Sequence, residues 1–90
     1  MSSEDSEMLM KFPCEFLIKA MGKKQENFDG HIATLVRKHY PDFTEGAVKS
    51  RYSKDGNYIS VTVTITATGK TQLDAIYQDL TDDPLVIMAL

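Results

Sequence analysis

The stretch Tyr58-Ile-Ser-Val-Thr-Val-Thr-Ile-Thr-Ala67 decides the fold of this 90-residue chain. Its apolar residues alternate strictly with tyrosine, serine and threonine, a pattern typical of a β-strand that buries one face. The preceding Lys54-Asp55-Gly56-Asn57 combines Asp-Gly with Gly-Asn, which supply the positive φ values of tight hairpin turns. Upstream, the alternation of residues 47–53 predicts the partner strand of this hairpin, with Lys49 and Arg51 on its polar side.

Two more strands and two helices are predicted on either side of this hairpin. Residues 14–21 alternate like a strand, and residues 25–39 repeat apolar side chains at helical spacing until Pro41 stops the helix. Residues 70–81 predict a second helix, and residues 85–90 a short last strand. The order β-α-β-β-α-β predicts an α+β, ferredoxin-like sandwich. Its four-stranded antiparallel sheet has the spatial order 4-1-3-2, with both helices on one face.

Length and charge set the domain organisation and disfavour one class of partner. Ninety residues fit one domain, predicted over residues 8–90 and preceded by a disordered acidic tail over residues 1–7. Glu4, Asp5 and Glu7 lie in that tail and account for the net charge of −3, because ten acids and ten bases remain after it. The chain lacks the surplus of basic residues found in proteins that bind phosphate backbones, which disfavours a nucleic-acid partner.

Cysteine content and hydropathy indicate the compartment. The lone Cys14 cannot form an intramolecular disulfide, whereas small secreted domains often depend on such bonds. The acidic N-terminus does not resemble a secretory signal, and no apolar run approaches the ~20 residues that span a bilayer. These features predict a cytoplasmic protein that does not enter a membrane.

Several short segments point to a known family. They are Phe12-Pro13, Lys19-Ala-Met-Gly22, Gly56-Asn-Tyr-Ile-Ser-Val-Thr62, Gln72 with Ile76-Tyr-Gln-Asp-Leu80, and Val86-Ile-Met-Ala-Leu90. In this order and spacing they resemble the YbeD family of small uncharacterised bacterial proteins over residues 8–90. The resemblance implies a ferredoxin-like fold similar to the ACT regulatory domains, which bind amino acids beside metabolic enzymes. It therefore implies a regulatory or binding role, and it supplies no catalytic residues.

Catalytic, metal-binding and RNA-binding chemistry find little support in the residues. A single cysteine cannot form a C-x-x-C metal pair, and His31 and His39 lie about 12 Å apart along one helix. The loop at residues 22–27 lacks the arginine of an acylphosphatase-like enzyme. Tyr58 is the one ring predicted on the outer sheet face, where strand one presents Leu17, so the stacking platform of RNA-binding sheets is missing. No catalytic residue, metal or cofactor is predicted.

A ligand site is predicted around the first β–α loop, where a glycine permits close backbone approach and a helix begins. The candidate ligand-binding residues are Met21, Gly22, Lys23, Lys24, Asn27 and Phe28. In one interpretation they form an ACT-like pocket for a small metabolite. In another, Lys23 and Lys24 form an anion or phosphate site in a minimal enzyme subunit. A purely structural turn glycine and two solvated lysines are the competing explanations.

An interface is predicted at strand four, which forms one edge of the sheet and carries no charge. Its candidate residues are Leu85, Val86, Ile87 and Met88, through which or beside which a homodimer would form. Residues 8–12 folding over this edge are the alternative. The sequence thus predicts a non-catalytic regulatory or binding module that acts on a small metabolite or a protein partner. The alternatives are the anion-binding enzyme subunit and weak RNA binding through the sheet face.

Overall fold

The computed structural model describes residues 11–90, in which four strands form one antiparallel sheet and two helices lie against one of its faces. The elements in chain order are strand β1 (Cys14–Lys23), helix α1 (Phe28–Arg37), a 3-10 helix (Glu45–Ala47), strand β2 (Val48–Tyr52), strand β3 (Tyr58–Ala67), helix α2 (Lys70–Asp82) and strand β4 (Met88–Ala89). The spatial order β2-β3-β1-β4 confirms the predicted fold and strand order. The predicted tail at residues 1–7 lies outside the described residues.

The hydrophobic core lies between the sheet and the helices. Strand β3 buries alternate residues as its sequence predicts, and α1 and α2 each add one apolar stripe. The main core side chains are Ile18, Ile59, Val61, Val63 and Ile65 from the sheet, with Phe28, Ile32, Val36, Leu73, Ile76 and Leu80 from the helices. Among the side chains that the structure describes, no polar or charged one is buried, so apolar burial holds the two layers together.

The central pairing of β1 with β3 is longer than predicted. The register runs from Cys14 opposite Ala67 to Lys23 opposite Tyr58, along the whole of both strands. The predicted end of the first strand at residue 21 is therefore wrong by two residues. Because β3 still offers pairing partners there, the backbone stays extended, and residues 21–23 alternate between the two faces of the sheet.

Helix α1 is shorter at both ends than the predicted 25–39. Asn27 has left-handed backbone angles, φ 59° and ψ 26°, so the helix begins at Phe28 and not at residue 25. At the other end, His39 and Tyr40 both donate their backbone N–H to Val36 O, which closes the last turn. Four residues, 24–27, therefore separate β1 from the helix. Within residues 11–90 neither helix has the length and apolar character needed to cross a membrane.

Strand β4 also differs from its predicted range of 85–90. The Leu85 N–H donates to Asp83 Oδ1 and the Val86 N–H to Asp83 O, so both amides serve a turn after α2. Regular pairing is therefore confined to Met88 and Ala89. The chain nevertheless follows β1 further, because Leu90 exchanges two backbone hydrogen bonds with Lys19, of 2.7 and 3.0 Å.

Candidate functional site

Gly22 and Phe28, two of the predicted ligand-binding residues, belong to the core. A Cβ on Gly22 would lie 2.6 Å from Leu85 O and 2.7 Å from Cζ of the Phe28 ring. Phe28 itself is 1 % exposed. The close approach that a glycine permits at this position is therefore made by the protein's own side chain and backbone, which fill the space predicted for a ligand.

The other four predicted residues are spread over the surface. Met21 and Lys23 point to the outer side of β1, away from the helices. The Lys24 ammonium lies over the Tyr52 ring, 5.9 Å from its centroid, and exposed Asn27 precedes α1. The backbone alternation at the end of β1 thus places Met21 and Lys23 on the face opposite to Gly22. Ligand binding at this loop stays a prediction.

The outer sheet face, defined here as the strand surface opposite the helices, brings together residues from all four strands. On this face a residue lies about 5 Å, measured between Cβ atoms, from its partner on the next strand. The register aligns Lys49, Thr62 and Lys19 in one row, Arg51, Ser60, Met21 and Met88 in the next, and Tyr58 with Lys23 in a third. The predicted outward column of β3 hydroxyls thus lies between two columns that carry basic residues.

The positive charge of this face is largely unbalanced. Lys19, Lys23, Lys49 and Arg51 are all exposed on it, and Glu15 is the one acid among its described strand residues. Among residues 11–90 none of these four cations forms an ion pair, since the ion pairs found there involve other residues. The face therefore presents several cations to solvent within a short distance.

An apolar strip, defined by Leu17, Met21, Met88 and Leu90, borders these cations on the β1 and β4 side. Leu17 is 60 % exposed, Met88 49 % and Leu90 62 %. Met88 pairs with Met21, and Leu90 is held beside β1 because its carbonyl oxygen accepts from the Lys19 N–H and from the Tyr77 hydroxyl. Singly exposed apolar residues are common on proteins, whereas adjacent ones indicate an interaction surface.

A depression of about 570 Å³ joins the charged and apolar parts of the outer sheet face. The residues that line it from this face include Lys19, Met21, Arg51, Tyr58, Ser60 and Leu90. It therefore offers ammonium, guanidinium and hydroxyl donors next to apolar surface. This combination suits binding of a group that is anionic at one end and apolar at the other.

The alternation of the strand sequences predicts parts of this face but not their combination. It places the β3 hydroxyls and Leu17 outward, and it assigns Lys49 and Arg51 only to the polar side of the second strand. Lys19 is not among the predicted site residues, because it neighbours Arg51 only through β3 and the register that joins them is not local in the sequence. One signal in the sequence does place Lys19 on this face: it lies two residues after Leu17, and residues two apart in a strand share a face.

The two histidines link α1 and the turn after it to α2 and to Asp83, the residue that follows α2. His31 Nε2 lies 2.8 Å from Asp83 Oδ2, and His39 Nε2 lies 2.7 Å from Asp79 Oδ2, with the Lys38 ammonium 3.2 Å from the same Asp79 oxygen. Each imidazole thus has its own carboxylate partner across the helix layer. Within residues 11–90 no three His, Cys, Asp or Glu side chains are grouped to hold a metal ion.

Acid is expected to remove the contribution of Asp79 to stability. Hydrogen bonds from His39 and then Lys38 hold the pKa of the Asp79 carboxyl below its ordinary value. Since the folded pKa is the lower one, the stabilisation is complete above the unfolded pKa of about 3.9 and is lost as pH falls through the folded pKa. In urea unfolding, Asp79→Asn should have a lower free energy of unfolding than the natural chain, and this difference should shrink below about pH 4.

Asp74→Asn is the matched control for this pH series, because Asp74 is an exposed acid of the same helix. Its exposed pair with Lys70 is expected to contribute at most a few tenths of a kcal/mol. A deficit of Asp79→Asn that stays constant or grows as the solution is acidified would contradict the assignment.

Comparison with known proteins gives a family match over most of the chain. A family model described as "Protein of unknown function (DUF493)" matches residues 7–90. A UPF0250 protein of Nitrosomonas europaea is 45 % identical over 84 residues, covering 93 % of this chain and 97 % of the relative. A UPF0250 protein of Chromobacterium violaceum is 43 % identical over 88 residues, covering 98 % and 99 %.

A solved structure supports the same architecture. The solution structure of protein HP0495 from H. pylori superimposes with a TM-score of 0.68, covering 90 % of this chain and 85 % of that one. The sequence identity is 15 %, so this likeness concerns the fold alone.

Proposed function

This chain belongs to the DUF493 family, the YbeD family that its sequence resembles, and we propose that it is a non-catalytic binding module that docks a partner protein on its outer sheet face. Neither the family's description nor the names of the two relatives state an activity. The proposal therefore draws on the geometry of this chain. A cytoplasmic location, as the lone cysteine predicts, is part of it.

One observation carries the proposal: the sheet surface without helices presents an apolar strip directly beside cations that pair with no described carboxylate. Leu17, Met88 and Leu90 keep about half or more of their surface in contact with water. Removing contiguous apolar surface from water contributes about 25 cal/mol per Å², which offsets part of the entropy lost on docking. Flanking charges then select the partner and orient it. The proposed docking surface combines both properties.

Sensing of a metabolite in the ACT manner has less support. It relies on open space beside Gly22, and Phe28 and Leu85 occupy that space. The predicted homodimer remains compatible with the proposed surface, because Met88 from the predicted interface belongs to the apolar strip. Leu85 and Ile87, two other predicted interface residues, are exposed outside the strip. A second copy of the chain is accordingly one partner that the experiment must distinguish.

Site-specific photo-crosslinking tests the proposal. The photoreactive residue p-benzoylphenylalanine replaces Leu17 on the outer sheet face, or exposed Gln78 on α2 as the control, in the full-length chain in native cells. We expect discrete adducts with another protein at position 17 that are absent at position 78. Thermal unfolding of both variants checks that each is folded before the adducts are compared.

The pattern of adducts decides between the outcomes. The same adducts from both positions, or none from position 17, would exclude the sheet face as a docking surface. Adducts of position 17 with the chain itself would make the partner a second copy. In that case sedimentation over a concentration series should show the 10.1-kDa chain associating.

A further inference from the structure

Resting on the proposed function, we propose that the partner presents an acidic segment to the outer sheet face. Its carboxylates pair with Lys19 and Arg51, and its apolar side chains cover the apolar strip. The binding site is the depression between these two cations, with Ser60 and Tyr58 among its walls. An acidic and apolar peptide segment is thus the chemical class of the ligand.

The positions of Lys19 and Arg51 suit a shared anion. They lie on β1 and β2, on either side of β3 and one row apart, so their backbones are about 12 Å apart. Thr62 and Ser60 separate them, in the same rows as Lys19 and Arg51 respectively. Both basic side chains are long enough to converge on a carboxylate placed over these hydroxyls. Arginine can hold it through two parallel hydrogen bonds, and Ser60 and Thr62 can donate from below.

The distribution of charge favours an acidic partner on this side of the molecule. Residues 11–90 contain equal numbers of basic and acidic side chains, yet the outer sheet face carries more basic than acidic ones. Lys19, Lys23, Lys49 and Arg51 share the sheet face, whereas α2 and its C-cap carry Asp74, Asp79, Asp82 and Asp83. An approaching anion is therefore attracted to the sheet side and repelled from α2.

The apolar strip favours a peptide over a nucleic acid. Sheets that bind RNA stack bases on aromatic side chains of adjacent central strands. Here the outer face of β3 carries one ring, Tyr58, and the outer face of β1 carries aliphatic Leu17 and Met21. Leu17 and Leu90 instead offer surface that an apolar side chain of a peptide would cover.

Titration with defined peptides, followed by NMR spectroscopy on the full-length chain, tests this inference. The probes are a twelve-residue peptide of glutamate and leucine, its counterpart of glutamine and leucine, and a twelve-nucleotide oligouridylate. The glutamate peptide should shift the backbone amide signals of Lys19, Ser60 and Thr62 and leave those of α2 in place. It should bind at least about tenfold more tightly than the glutamine peptide, and its affinity should fall with added salt.

Charge-neutralising variants locate the contact. Lys19→Gln/Arg51→Gln should weaken binding of the glutamate peptide by about tenfold or more. The control Lys38→Gln/Lys70→Gln removes the same charge from the helix layer, where both lysines pair with aspartates, and should leave the affinity within about twofold. Thermal unfolding of both double variants confirms that the comparison is between folded proteins.

Each contrary result overturns the inference in a recognisable way. Equal binding of the glutamate and glutamine peptides, or equal losses in the two double variants, would leave a docking face without acid selectivity. Tighter binding of the oligouridylate at the same amides would make the ligand a nucleic acid. Peptide binding that appears only after Glu4, Asp5 and Glu7 are neutralised would make the chain's own acidic segment the occupant. If no peptide shifts the sheet-face amides, the acidic-segment inference fails, whereas the docking function is judged separately by the adducts at position 17.

Discussion

Truncation of Phe28 (Phe28→Ala) is expected to lower the free energy of unfolding by about 3–5 kcal/mol, the largest loss from any single substitution proposed for this chain. Phe28 is the first residue of α1 and is 1 % exposed. Its ring fills the space that Gly22 leaves open, and it packs against the His31 imidazole with the ring centroids 6.4 Å apart. Alanine would leave a cavity where the start of α1 meets the sheet.

Urea unfolding followed by circular dichroism measures this loss, with Leu17→Ala as the control. Leu17 is a large apolar side chain of the outer sheet face, so its truncation should change stability by no more than about 0.5 kcal/mol. The same control separates binding from folding, because it removes part of the apolar strip and leaves the core intact. If Phe28→Ala lowers the free energy of unfolding by less than about 1 kcal/mol, the ring does not fill the space between β1 and α1.

The fold could be predicted because its decisive signals are local. Alternation along residues 58–67 fixes which side of β3 is buried, and the Asp-Gly-Asn turn fixes the hairpin. Asp55 illustrates how local the turn is, since its carboxylate accepts hydrogen bonds from the Ser53 hydroxyl and the Asn57 N–H. Both bonds lower the pKa of the Asp55 carboxyl, and the bond from Ser53 has the larger effect. Such interactions span a few residues and can be read directly from the sequence.

Element ends and the candidate site depend instead on contacts between distant residues. The extension of β1 to Lys23 follows from pairing with Tyr58, and the short β4 follows from amides diverted to Asp83. In the same way, the neighbourhood of Lys19 and Arg51 exists only through the shared register with β3. A sequence pattern can assign each of these residues to the outer face. It cannot say which of these residues lie side by side across the strands, and the candidate site depends on that pairing.

The Gly22→Ala variant is expected to lose about 1–3 kcal/mol of stability, although it adds a single methyl group. The added Cβ would lie 2.6 Å from Leu85 O and 2.7 Å from the Phe28 ring. The ring can tilt, but the Leu85 carbonyl belongs to the backbone of the chain entering β4. Relief of this contact therefore requires β1 and that segment to separate. Chemical denaturation measures the loss, with Gly46→Ala as the control.

Gly46 is a suitable control because, among the described residues, a Cβ there meets Thr44 Oγ1 alone, at an ordinary distance of 3.9 Å. Gly46→Ala should be neutral or should stabilise the protein by up to about 1 kcal/mol through a less flexible unfolded chain. Adding Phe28→Leu to Gly22→Ala removes the ring tip but leaves Leu85 O in place. The double variant should therefore be more stable than the sum of the two single losses predicts, but less stable than Phe28→Leu alone. Strict additivity would mean that the methyl group never meets the ring. A double variant as stable as Phe28→Leu alone would mean that the Leu85 carbonyl moves aside freely.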